Sequence, residues 1–109
     1  MIEEFFHQLT TSPAPPLKKM SATVRFDIED GPTTKYWLLA VDRGTVAVSH
    51  RKARADAVVR VGRELFQHIL AGEANAMAAM LRGEISVEGD PELLLSVQRL
   101  MPGPVRRAA

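Results

Sequence analysis

The apolar residues of this chain change period at Arg63, and that change restricts the fold more than any other feature. Before it, side chains alternate in character at every second residue; after it, they recur at every third or fourth. Residues 22–28 set Ala22, Val24, Phe26 and Ile28 on one face and Thr23, Arg25 and Asp27 on the other, as a half-buried strand does. "EDGP" at 29–32 is a turn signal, and Lys35 to Val41 reads as a second strand with apolar residues on both faces. "VDRGTVAVS" reads as a tight antiparallel hairpin, with Gly44 supplying the positive φ that a three-residue connection requires. After the charged connection "HRKARAD" at 50–56, residues 57–61 form a fourth strand with Ala57, Val59 and Val61 facing one way.

Past the switch, Leu65, Phe66, Ile69 and Leu70 recur at helical spacing as far as Gly72, where a helix C-terminus favours glycine. A short second helix at about 74–82 places Met77, Met80 and Leu81 together and stops at Gly83. Residues 84–88 return to alternation, with Ile85 and Val87 inward, and predict a fifth strand. A last helix opens with Asp90 as N-cap and Pro91 in the first helical position. Its apolar face is Leu93, Leu94, Val97, Leu100 and Met101, and "MPGP" ends it. At the other end, residues 2–9 predict a short helix with Ile2, Phe5, Phe6 and Leu9 on one side, closed by the prolines of "TTSPAPP". The order of elements predicts an α+β domain: a five-stranded, mainly antiparallel sheet with helices on one face. The opposite face, with Thr23, Arg25, Asp27 and Lys35, is expected to meet water. Trp37 and Leu39 are expected to need cover from the N-terminal segment or a partner.

Composition narrows the functional classes. At 109 residues without an internal repeat, the chain is read as one domain, with a lead at 1–16 and a tail at 102–109. A formal net charge of +1 gives no whole-molecule attraction to nucleic acid, so any charged contact is local. The absence of cysteine excludes disulfides, thiolate metal sites and a thiol nucleophile. His7, His50 and His68 lie in three segments without metal-ligand spacing, and no serine has a Gly-x-Ser-x-Gly context, so neither a cofactor nor an enzyme active site is expected. No basic leader with an apolar run and no membrane-length apolar stretch is present, which predicts a cytoplasmic location.

The stretch "AMAAMLRGEISVEGD" at 76–90 packs three alanines and two methionines before a glycine break and a charged strand. Together with the preceding "ADAVVRVGRELFQHILAGEAN" and the following "PELLLSVQRLM", it resembles the sterol carrier protein 2 family. In that family a short helix pair, a small-residue turn, a charged strand and a capped helix come in the same order. The likeness runs over roughly residues 22–101, with "LRGEISVEGD" its most specific element. It implies a five-stranded sheet whose helices enclose an apolar tunnel, and non-catalytic binding and transfer of a sterol, fatty acid or fatty acyl-CoA. The chain ends in "RRAA", not in the peroxisomal tripeptide of animal members.

The same resemblance implies that Phe26, Trp37, Leu39, Phe66, Leu70, Met77, Met80, Leu81, Leu94, Val97 and Met101 line the tunnel. Methionine adapts to ligands of varied shape, and alanines leave volume open. Periodicity alone describes a solid core equally well. Arg51, Lys52 and Arg54 are the candidates for holding a lipid headgroup or touching an anionic membrane. The alternative is an interaction module of the same fold without a cavity, a homodimer joined through Trp37, Leu39 and the N-terminal phenylalanines.

Overall fold

The structure is a computed structural model and describes residues 1–11, 19–90 and 92–93. Helix α1 spans Ile2–Thr11, and strands β1 (Ser21–Asp30), β2 (Thr33–Asp42), β3 (Thr45–Ser49) and β4 (Ala57–Gly62) follow. Helices α2 (Arg63–Leu70) and α3 (Ala76–Leu81) precede strand β5 (Ile85–Gly89). The five strands form one sheet in the order β3-β2-β1-β4-β5. The pairings β1–β2, β2–β3 and β4–β5 are antiparallel, while β1–β4 is parallel. The sheet is mainly antiparallel, as expected, and the one parallel pair makes it mixed.

That parallel pair has a plain origin. Parallel neighbours need a connection that crosses the sheet, and here residues 50–56 provide it. The segment passes over the face that was expected to be wet. Arg25 donates from Nη1 to the Ala53 carbonyl at 2.9 Å, and Thr23 donates its amide to Asp56 Oδ2 at 2.9 Å. Asp27 is consequently 3% exposed. It accepts a two-pronged bond from Arg25, Nε to Oδ1 at 2.7 Å and Nη2 to Oδ2 at 3.0 Å. The carboxylate's hydrogen bonds hold the Arg25 guanidinium protonated beyond its ordinary range, against the cost of burial. Tyr36 completes the layer, with the Arg25 guanidinium 5.6 Å and the Lys52 ammonium 5.3 Å from its ring centre.

Register decides which side chains of β2 turn inward. Phe26 pairs with Trp37 and Val24 with Leu39, so Lys35, Trp37, Leu39 and Val41 share the helix-covered face with Phe26. Trp37 and Leu39 are thus separated from Arg25 and Asp27, with which they were expected to lie, and the N-terminal segment does cover Trp37. The hairpin between β2 and β3 is also tighter than expected. Asp42 pairs directly with Thr45, leaving two residues, Arg43 at φ 50° and Gly44 at φ 91°, in the turn. Two positive φ values in a row match the twist of the strands they join.

The helices follow their sequence signals closely. Asn75 caps α3, its Oδ1 accepting the Ala78 amide at 3.0 Å, and Gly83 follows the helix at φ 78°. The buried residues of α3 are Ala76 and Ala79, not the methionines. Small side chains let the helix approach the sheet closely, so the alanines serve contact rather than open volume. Asp90 accepts the Glu92 amide at 2.9 Å, as an N-cap does. Pro91, Leu94, Val97, Leu100 and Met101 of the expected last helix, like the prolines at 13, 15 and 16, lie outside the described residues.

Candidate functional site

Between the helices and the sheet, the dominant feature is a cluster of aromatic rings. Phe26 and Trp37 rise from adjacent strands, Phe66 descends from α2, and Phe5 and Phe6 enter from α1. Phe6 is the centre of the group. Its ring stacks on Trp37 at 4.5 Å and 16°, meets Phe26 edge-on at 5.1 Å, and lies 6.0 Å from Phe66. Phe6, Phe26 and Phe66 are fully buried, and Leu39 and Val24 form the floor beside them. Among the described residues, the space between α1 and the sheet is occupied by Phe6.

Helix α1 reaches this position because Phe6 and Leu9, three apart, fall on one helical face with Ile2 and Phe5 flanking them. Two open grooves run beside it. One, of about 630 Å³, lies among Ile2, Ile28, Thr33, Lys35, Arg63 and Gln67; the other, of about 1060 Å³, lies among Phe5, His7, Gln8, Val48, His50 and Leu70. Met1, Glu3, Glu4 and Trp37 border both. The two openings therefore meet at the α1 N-terminus and the indole.

Charges at the rim are balanced. Lys35 Nζ stands 5.2 Å from the Trp37 ring centre and 3.9 Å from Glu3 Oε1, and Arg63 donates to Asp30 at 3.2 Å. Glu4 pairs with the N-terminal ammonium, which holds its carboxyl below the ordinary carboxylate range mainly through their hydrogen bond. His50 places its ring 4.3 Å from that of Trp37, with Nδ1 3.0 Å from the Tyr36 carbonyl oxygen. Trp37 is 6% exposed, and its Nε1 has no hydrogen-bond partner among the described residues. Among those residues, no three His, Asp or Glu side chains converge as a metal site requires. The arrangement offers buried aromatic contact with charged and polar groups around the groove mouths.

Of the residues that the sequence nominates, Phe26, Trp37, Leu39 and Phe66 come together in this cluster, and Leu70 borders the larger groove. Met80 packs at the margin of the core. Met77 and Leu81 are on the surface at 36% and 82% exposure, because α3 turns its alanines inward. Leu94, Val97 and Met101 lie outside the described residues. Arg51, Lys52 and Arg54 are exposed on the segment crossing the opposite face of the sheet, apart from the aromatic cluster. Of Trp37, Leu39 and the N-terminal phenylalanines, named as a surface for a second copy, Trp37, Leu39 and Phe6 are buried within the chain itself and Phe5 is half-buried. Sequence reading missed Phe6, Lys35 and Arg63 at this site. The signal for Phe6 was present: two of the chain's four phenylalanines stand side by side in a short amphipathic helix.

Comparison with known proteins agrees with this architecture. A palmitated sterol carrier protein 2-like 2 from Aedes aegypti superposes with a TM-score of 0.72 at 21% identity, over 91% of this chain and 88% of that one. The sterol carrier protein domain 2 of Helicoverpa armigera gives 0.74 at 18% identity, over 91% and 80%. In sequence, a peroxisomal multifunctional enzyme A from Dictyostelium discoideum is 26% identical over 89 residues. Those residues are 80% of this chain and 20% of that protein, so the chain spans about a fifth of its relative's length. The family model for SCP-2 sterol transfer matches residues 2–102, nearly the whole length, and with the fold in agreement the chain belongs to the SCP-2 sterol transfer family.

Proposed function

We propose that the chain is a non-catalytic carrier that binds one single-chain lipid, a fatty acid or its acyl ester, against the aromatic floor beside α1. The observation that carries this reading is the meeting of two grooves at a buried tryptophan on the helix-covered face, the larger of them bordered by Phe5, Val48 and Leu70. Their volumes, about 630 and 1060 Å³, are of the size that small-molecule pockets have, roughly 300–1,000 Å³. Each methylene removed from water contributes about 0.8 kcal/mol, so a long acyl chain binds usefully without any specific group. A palmitated state of the Aedes aegypti relative supports an acyl chain over a rigid sterol. Acyl chains bend around side chains, whereas a fused ring system needs one wide preformed slot.

A fluorescent fatty acid titrated into delipidated protein, followed by displacement with unlabelled palmitate, tests the proposal. Saturable binding at one ligand per chain, with palmitate displacing more effectively than cholesterol, is the expected outcome. No saturable binding of either class overturns the reading.

A further inference from the structure

Helix α1 combines the deep insertion of one ring with few polar ties to the rest of the fold. Its Phe6 is fully buried between Phe26, Trp37 and Phe66, the very surfaces an apolar ligand would use. Yet among the described residues no backbone hydrogen bond joins α1 to the sheet or to another helix. Its one ion pair to the body among the described residues, Glu3 to Lys35 at 3.9 Å, is solvent-exposed and of little strength. Only Phe6 and Leu9 are fully inserted, and a helix of ten residues is marginal by itself in water. Both grooves end where α1 begins, at Met1, Glu3, Glu4 and Trp37.

Beneath Phe6 lies an unmet polar group. A buried N–H without a partner is rare and carries a desolvation cost, and the Trp37 indole is such a group among the described residues. The Phe6 ring that stacks on it offers no lone pair, and the His50 ring, 4.3 Å away, makes no hydrogen bond to it among the described residues. A ligand bearing an acceptor oxygen at its head would satisfy it, and the Lys35 ammonium 5.2 Å from the same ring favours an anionic head.

Resting on the carrier reading above, we propose that α1 is a displaceable plug. Phe6 occupies the place that the hydrocarbon would take; on loading, α1 moves out of it. The acyl chain then lies against Phe26, Leu39 and Phe66, and its carboxylate accepts the Trp37 N–H. Phe6 and the lipid compete for one space, so uptake is limited by how tightly α1 is held.

The chain has no cysteine, which makes a tether simple to install. In a Glu3→Cys, Lys35→Cys double variant, a short reducible bismaleimide joins the two positions and pins α1; reduction frees it. Palmitate affinity is expected to fall at least tenfold in the linked form and to return on reduction. Phe6→Ala is expected to raise affinity at least tenfold, and if that variant fails to fold, the linked and released forms still decide the matter. Equal palmitate affinity in the linked and released forms overturns the plug while leaving the carrier reading intact. Failure of every form, Phe6→Ala included, to take up palmitate overturns the carrier reading and the plug with it. Trp37→Phe keeps a ring under Phe6 and deletes the N–H. It is expected to weaken palmitate about fivefold, and an unchanged affinity overturns the assignment of the head to the indole.

Discussion

Asp27 illustrates how a single side chain is governed by its cover. Its alternation with Val24, Phe26 and Ile28 puts it opposite the core, and a strand with one polar face ordinarily shows that face to water. Here the crossing segment 50–56 closes over it, and the carboxylate survives burial because Arg25 meets both of its oxygens. Removing one charge of such a pair leaves the other without compensation. Asp27→Asn is therefore expected to lower stability by about 2 kcal/mol in urea unfolding, less than the loss at a fully buried pair because Arg25 keeps some solvent. Replacing both partners, Arg25→Met with Asp27→Leu, is expected to cost less than the single change. Arg43 poses the opposite case, a residue whose conformation is wrong for its type. At φ 50° it occupies the left-handed region, which costs a residue with a Cβ about 1–2 kcal/mol unless, as in asparagine, a short polar side chain bonds to the local backbone, and the exposed site offers no packing in return. Arg43→Asn is expected to raise the thermal midpoint, corresponding to about 0.5–1 kcal/mol, as measured by calorimetry.

At the scale of elements, legibility depended on contrast between faces. Residues 22–28 alternate apolar and polar, so the inward face of β1 could be read directly, and the structure places Val24, Phe26 and Ile28 in the core. In β2 both faces of "KYWLLAV" are largely apolar, and alternation then says nothing about which is inside. Pairing with β1 through a two-residue turn settles it, and pairing is a long-range fact. Helix α3 failed for a related reason: Ala76, Met77, Ala79 and Met80 are all apolar, so period alone does not choose between the small stripe and the large one. Close approach to the sheet selects the small one. For α1 the apolar stripe was legible, but its depth of insertion was not, because depth depends on the empty place that Phe26, Trp37 and Phe66 leave between them. The weak attachment of α1 has a measurable consequence. Its amides are expected to exchange with deuterium orders of magnitude faster than those of β1, β2 and β4, whose ladders are central, and palmitate is expected to speed them further. Protection of α1 equal to that of the central strands would contradict a helix held by side-chain packing alone.

For the whole molecule, a carrier must both hold its cargo and meet the surface that supplies or receives it. The net charge of +1 supplies no general attraction to an anionic bilayer, so the meeting depends on where the cations stand. Arg51, Lys52 and Arg54 are exposed together on the crossing segment, on the sheet face opposite α1. Lys52 is partly engaged over Tyr36, while Arg51 and Arg54 extend from the same short stretch. Docking by that segment would leave the groove mouths at α1 uncovered and facing away from the membrane, so contact and cargo exchange would be separate steps. Each basic residue near an anionic surface contributes about 1 kcal/mol, which makes the three together worth roughly a hundredfold in partitioning. Replacing all three with glutamine is accordingly expected to lower co-sedimentation with phosphatidylserine-rich vesicles by about that factor at low salt. Palmitate affinity in solution is expected to stay within twofold, since none of the three borders either groove. A parallel fall in both quantities would mean that the cations hold the lipid head and not the membrane, and would place cargo and cations on one face of the sheet instead of two.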